Sequence, residues 1–273
     1  MRADRIRGQA RPEVRNDRRF GGPLTRAGAT KRRPTMRAVQ VRNRWRRRVL
    51  GGLAVLVVGP VLAVAALWPM TPSVDGTEQL VRAHLAGQRA SELTVLPRPD
   101  RAAQALIATE DSRFFQMPGI DPISVVRMGV ALTQGSDTGG ATLEQQLVKN
   151  LYFPHSDGMV AKVQEAELAL KLDARYSKND VLRMYLADVY FGHGFYGLPA
   201  AAEGYFGVAP AGLSWSQASL LAGLVEAPSA SDPLQHLSVA RLHQRHVLDR
   251  LVATHVLSAV QADAALTEPL GLR

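Results

Sequence analysis

The sequence contains no cysteine. It therefore forms no disulfide and no thiolate metal site, and its redox compartment is not written in it. Period-two alternation of apolar and polar residues is nearly absent, which argues against strands and for an all-α protein. No internal repeat is visible, and no GxSxG, phosphate-binding P-loop or dinucleotide fingerprint occurs. His155, His193, His236, His243, His246 and His255 form no metal-ligand set, and the closest pair, His243 and His246, lacks an acidic partner at useful spacing.

What is present is distributed unevenly. The net charge of +9 comes from one end: residues 1–48 hold about 17 of the 33 basic residues and about 3 of the 24 acidic ones, leaving about −5 on the remainder. Residues 1–48 read as a disordered Arg-rich tail. Its simplest role is a solvated arm that fixes topology; nucleic-acid binding has no aromatic or motif support. Residues 49–68 carry no charge and match the roughly 20 residues that cross a bilayer as a helix. A cleaved signal peptide is the competing reading, but the apolar run is long and its basic lead longer still. An uncleaved anchor puts the tail in the cytoplasm and residues 70–273 outside it, at the plasma (inner) membrane. Residues 69–92 then read as a stalk and 93–273 as a single helical domain.

Within that domain the helix signals are local. A short helix is expected over 74–88 with Leu80, Val81 and Leu85 inward. Asp100 is a candidate N-cap for 101–111. Gly119 and Pro122 precede a helix over 123–134, a loop at 134–140 and a helix carrying Leu143, Leu147 and Leu151. A long helix follows from Met159 to Tyr176. The next starts at Ser177 with Asp180 at N3, and Ser214 with Gln217 forms a second capping signal. The last helix is expected from about Ser238 to Leu257.

Three groups could carry chemistry. Glu110 and Asp111 end a helix with an apolar face, and a carboxylate beside apolar surface suits a general acid or base; an exposed helix end reads the same way. Lys162 and Glu165 share a face at i, i+3, either as a surface ion pair or as a site pair. Gln145, Gln146, Lys149 and Asn150 offer donors to phosphate or sugar oxygens, or form an ordinary solvated face.

In sequence order, TEDSRFF, GGATLEQQLVKN, KVQEAELALKLD, VLRMYLADVYFGHGFYGLPAAAEGYFG and LLAGLVEAPSASDP resemble the motifs of peptidoglycan glycosyltransferases, glycosyltransferase family 51. These transglycosylases occur as one domain of class A penicillin-binding proteins and as monofunctional enzymes. The resemblance covers about residues 93–255 and implies a lysozyme-like, two-lobed helical domain of the monofunctional type. It implies polymerisation of lipid II into glycan strands at the membrane, with inversion and release of undecaprenyl pyrophosphate. Glu110 matches the general base and Glu165 the glutamate that assists the pyrophosphate. Lys149 and Lys162 match positive positions near that group. Gln145, Gln146 and Asn150 match polar groups of the cleft, and Asp111 and Phe114 complete the first motif. No cofactor is obligatory on this reading; Mg2+ or Mn2+ at Glu165 is the ion it admits. Penicillin-binding transpeptidases and division proteins are the partners it suggests beside lipid II, with no nucleic acid.

Several positions depart from the family pattern. Met117 stands where histidine is usual, Ala141 replaces a serine and Glu144 a threonine. Asp157, Ala161, Gln164 and Val208 stand where basic residues are common. The losses fall on the anion-binding side. They motivate an alternative, a weakened or inactive relative that binds lipid II or scaffolds wall synthesis. A lysozyme-like hydrolase is a third reading, disfavoured by the lysines and the anchor.

Overall fold

The computed structural model describes residues 62, 66, 68–88, 100–123, 140–154, 156 and 158–273. The tail expected at 1–48, most of the anchor expected at 49–68 and most of the helix expected at 123–134 lie outside the described residues. Among the described residues no helix is long and apolar enough to cross a membrane. All their regular elements are helical, and the one β feature among them is an isolated antiparallel bridge between Tyr190 and Tyr196.

The helices begin where side chains satisfy free amides. Helix α1 is Thr77–Gln88 and α2 is Arg101–Glu110, the latter capped by Asp100, which accepts from Ala103 N at 2.8 Å. Helix α3, Leu143–Tyr152, starts with a capping box of Thr142 and Gln145. Helix α4 is Met159–Arg175, and α5 is Lys178–Asp188 with Ser177 at its N-cap. Helix α6, Leu198–Phe206, ends at Gly207 in the left-handed region. Helix α7 is Trp215–Leu224, again with the expected Ser214–Gln217 box.

Two expectations fail here. Leu80 is 40% exposed, because α1 starts at Thr77 and turns Thr77, Val81 and Leu85 inward instead. The helix expected from Ser238 to Leu257 is α8, Leu237–Ala253, which stops earlier, and a further helix that was not expected follows it, α9, Ala259–Thr267. His255 breaks them apart at φ +61°, a position usually given to glycine.

The helices pack in two sets around one continuous apolar core. Helices α2, α7, α8 and α9 pack on one another, and so do α1, α3, α4 and α5. One glycine ties the elements that matter most below. Gly119 has φ +25°, and a Cβ there would lie 2.3 Å from the Ala169 carbonyl oxygen of α4. Its own carbonyl accepts from Thr142 Oγ1 at 2.7 Å, at the start of α3. The segment leaving α2 is thus seated against α3 and α4 together.

The chain before α1 docks on α4 as well. Lys171 donates to Trp68 O at 2.8 Å and Thr71 Oγ1 at 2.7 Å, and lies 4.9 Å from the Trp68 ring centroid. The buried Glu167 takes Thr71 Oγ1 as a partner and pairs with Lys171 at 3.4 Å. A buried carboxylate requires such partners.

Candidate active site

A cleft of about 980 Å³ opens where the two helix sets meet. Glu110, at the last turn of α2, lies in its lining with Asp111. From α3 come Gln145, Gln146, Lys149 and Asn150, while Leu143, Leu147 and Val148 of the same helix turn into the core. Helix α4 adds Lys162 and Glu165.

Glu110 is only partly exposed, so the exposed helix end gives way to a half-buried one. Burial raises its pKa above the ordinary carboxylate range, against the opposing hydrogen bond from Gln146. The negative charges of Glu226 and Asp111 push the same way, and His246 pulls the other way. The C-terminal end of a helix also disfavours a negative charge. Gln146 Nε2 donates to Glu110 Oε2 at 2.8 Å, and Gln146 Oε1 accepts from the Tyr185 hydroxyl at 2.8 Å. Asp111, 8% exposed, accepts from Leu143 N at 3.4 Å, so its carboxylate sits at the start of α3. Burial raises its pKa too.

Lys162 Nζ lies 2.9 Å from Glu165 Oε2. The Glu165 side chain is 2% exposed, so this is not a surface pair. Its other oxygen, Oε1, is buried with no hydrogen-bond partner among the described residues.

Other expected site residues are engaged elsewhere. Phe114 does not face the cleft. It is 1% exposed in the core, with Lys178 Nζ 4.7 Å from its ring centroid, because the turn after α2 folds the ring inward. Gln145 lines the cleft, but its carbonyl accepts from Thr142 N at 3.0 Å as half of the capping box. Asn150 Nδ2 donates to the buried Asp188 at 3.1 Å, whose other oxygen takes His84 Nδ1 at 2.5 Å.

The lining also holds residues that sequence reasoning passed over: Arg113, Asp121, Glu226, His246 and Arg250. Arg113 is paired with Asp121. His246 and Arg250 lie at i, i+4 on α8 and so share a face, and Arg250 Nε donates to Ala108 O at 3.1 Å. That spacing was the available signal.

A half-buried carboxylate with one oxygen held by an amide can take a proton. A second carboxylate beside ammonium groups can manage an anionic group. Residues 78–252 match the sequence profile described as Transglycosylase. The chain belongs to the transglycosylase family. It is 36% identical over 185 residues to penicillin-binding protein 1A of Haemophilus influenzae, covering 67% of this chain and 22% of that protein. It is 36% identical over 176 residues to a Cupriavidus necator protein named as a transglycosylase, covering 64% of this chain and 76% of that one. The crystal structure of Haemophilus influenzae penicillin-binding protein 1A aligns with a TM-score of 0.41 and 22% identity, over 67% of this chain and 18% of that one. The chain thus spans under a quarter of the length of that penicillin-binding protein.

Of the positions read from the sequence as departures, Glu144 is fully buried and bonded to Lys178 Nζ at 2.5 Å, away from the cleft. Ala161 is 6% exposed and Gln164 partly exposed, and Asp157 lies outside the described residues. The described lining carries four basic side chains, Arg113, Lys149, Lys162 and Arg250, against five carboxylates. That balance gives an anionic ligand little net attraction from the described residues.

Proposed function

We propose that this protein is a peptidoglycan glycosyltransferase that polymerises lipid II, inverting the donor's anomeric carbon and releasing undecaprenyl pyrophosphate. The observation that carries the reading is the placement of Glu110, Lys149, Lys162 and Glu165 in one cleft. Glu110 takes the proton of the acceptor sugar's 4-hydroxyl as that oxygen attacks. Its raised pKa makes it a stronger base than an ordinary carboxylate. Lys149 and Lys162 hold the pyrophosphate as its bond to the sugar breaks and charge builds on it.

The orphaned Glu165 Oε1 fits a divalent cation shared with the substrate, since Mg2+ is commonly held by one or two carboxylates plus phosphates. No group of three or more acidic or histidine side chains that could hold a metal exists among the described residues. Mg2+ or Mn2+ bound there would neutralise charge on the leaving group, where the lining is short of it.

Two further features belong to this reading. Helix sets meeting at a cleft support a lysozyme-like, two-lobed domain. The uncharged run at 49–68 and the docking of Trp68 and Thr71 on α4 support a single-pass anchor with an extracytoplasmic catalytic domain. Transpeptidases and division proteins are the partners that such a placement favours.

The test is polymerisation of labelled lipid II by the purified full chain, with Glu110→Gln as control. Glycan chains that vanish in the variant support the reading. Lipid II binding without polymer, under every metal and detergent condition, would favour the weakened scaffold that the carboxylate-rich lining also suits. Muropeptide release from preformed wall would point to a hydrolase.

A further inference from the structure

We infer that Tyr185 is a positioning residue for the reaction, fixing which end of the Gln146 amide faces Glu110. The inference rests on the reading of Glu110 as the base.

Gln146 has two ends of opposite character. In the structure its Nε2 donates to Glu110 Oε2 and its Oε1 accepts from the Tyr185 hydroxyl, both at 2.8 Å. The order matters. An amide N–H toward Glu110 favours the ionised carboxylate, which a general base requires. An amide carbonyl toward Glu110 would repel the carboxylate and accept a hydrogen bond from the protonated acid instead.

Nothing in Gln146 itself chooses between these orientations. Tyr185 does. It is fully buried, and its hydroxyl is kept protonated because burial, then the charges of Glu110 and Asp188, push its pKa well above the usual tyrosine value. A buried hydroxyl must place its proton on an acceptor, and the Gln146 carbonyl is where it goes. With the carbonyl held by α5, the amide N–H is left for α2. Glu110 Oε2 is then occupied, and Oε1 is the oxygen offered to the acceptor hydroxyl.

Tyr185 contacts neither substrate nor the reacting atoms. It is absent from the cleft lining and acts through Gln146. The cleft lining also carries the charged or titratable groups Asp111 from the turn after α2, Lys149 from α3, Lys162 and Glu165 from α4, Glu226 after α7, and His246 and Arg250 from α8, of which Glu226, His246 and Asp111 act on the Glu110 charge. None of them bonds to Gln146, so removing the Tyr185 hydroxyl leaves their fields in place.

The experiment is a titration of the full chain in detergent, with glutamate labelled at the side-chain carboxyl carbon and followed by NMR. The Glu110 signal is assigned by its loss in Glu110→Gln. In Tyr185→Phe the Glu110 midpoint is expected to rise by about one pH unit, because the amide no longer presents its donor consistently. In the Gln146→Met background, Tyr185→Phe should move the midpoint no further. A midpoint unchanged by Tyr185→Phe in the native background overturns the inference. An equal shift with and without Gln146 also overturns it, since Tyr185 would then act directly on Glu110. If Tyr185→Phe does not fold, Gln146→Met alone decides: an unmoved Glu110 midpoint removes the relay.

Ionisation is read without turnover, so failure of lipid II polymerisation by the native chain would sink the proposed function and leave the relay standing. In an active enzyme the acid limb of kcat/KM should rise with the midpoint, which a merely structural loss would not produce.

Discussion

Replacing Lys178 by methionine should destabilise the domain by an amount that depends on pH. Lys178 Nζ lies 2.5 Å from Glu144, 2.7 Å from Asp173 and 4.7 Å from the Phe114 ring centroid. The Glu144 side chain is 1% exposed, and its second oxygen has no partner among the described residues. Methionine keeps the apolar stem against Phe114 but removes the charge. Glu144 would then be a buried carboxylate near Asp111 with its main partner gone. Breaking a buried pair in this way costs about 3–5 kcal/mol. Lys178 is 20% exposed, so water reaches part of the site and the lower end, about 3 kcal/mol, is expected. For a domain of this size that corresponds to a fall in Tm of roughly 6–12 °C.

The pH signature separates this account from simple loss of packing. Burial already holds the Glu144 pKa above the ordinary glutamate value, ahead of the opposing bonds from Lys178. A group that binds its proton more tightly when folded adds stability below its unfolded pKa, about 4.3, and loses it as pH rises through the folded value. Without Lys178 the folded value rises further. The difference between variant and native protein should therefore be largest near pH 7 and shrink as pH falls toward 4. Urea unfolding of both proteins at several pH values measures it. Glu144→Leu added to Lys178→Met should return stability to within about 1 kcal/mol of native, because an apolar pair can replace a buried ionic one. A loss below about 1 kcal/mol at pH 7, or one that does not change with pH, would refute the reasoning.

Three more outcomes follow from the same structure. Glu110 must be ionised to act as base, and its folded pKa is raised by burial. The acid limb of kcat/KM should accordingly lie above the ordinary glutamate value of about 4.3; a limb at or below it removes Glu110 from that role. His255 sits at φ +61°, so His255→Gly should stabilise the α8–α9 junction by about 0.5–1 kcal/mol despite glycine's greater unfolded-state entropy, read as a higher Tm. Chelation of divalent ions should slow lipid II polymerisation about tenfold or more, the size of one charge-assisted contact, with recovery on adding Mg2+ or Mn2+. Equal rates with and without chelator would leave Glu165 to act through Lys162 alone.

Local signals in the sequence were read correctly where their physics is local. Asp100, Ser177 and Ser214 each cap a helix by accepting from an amide three residues away, so the sequence alone contains the interaction. The stop of α8 at Ala253 was placed four residues late because a histidine holds the left-handed turn that glycine usually signals, and α9 was missed although Ser258 and Gln261 spell its capping box. Phe114 belongs to a motif, and an aromatic residue in a motif reads alike whether it faces a cleft or the core. Its ring is buried in the core and meets Lys178, 64 positions further along. Tyr185 shows the converse. Its place on the inward face of α5 marks it as core, but its hydroxyl reaches Gln146 across 39 residues. The motif order supplied a reaction to test; which atoms hold which was set by tertiary packing.

The two glutamates illustrate how that packing divides labour between identical side chains. Glu110 ends a helix, where the peptide dipoles oppose its charge, and its one hydrogen-bond donor among the described residues is a neutral amide. Such a carboxylate has a reason to accept a proton and an oxygen left to do so. Glu165 lies within a helix with an ammonium on one oxygen, while the other is buried with no partner among the described residues. Such a carboxylate already has one cation and keeps an oxygen without a partner among the described residues. Exchanging their environments would exchange their uses. Lys162 placed beside Glu110 would hold its charge and blunt it as a base. Gln146 placed beside Glu165 would supply no positive charge for a pyrophosphate. The roles therefore depend less on the glutamates than on Gln146 and Lys162 beside them.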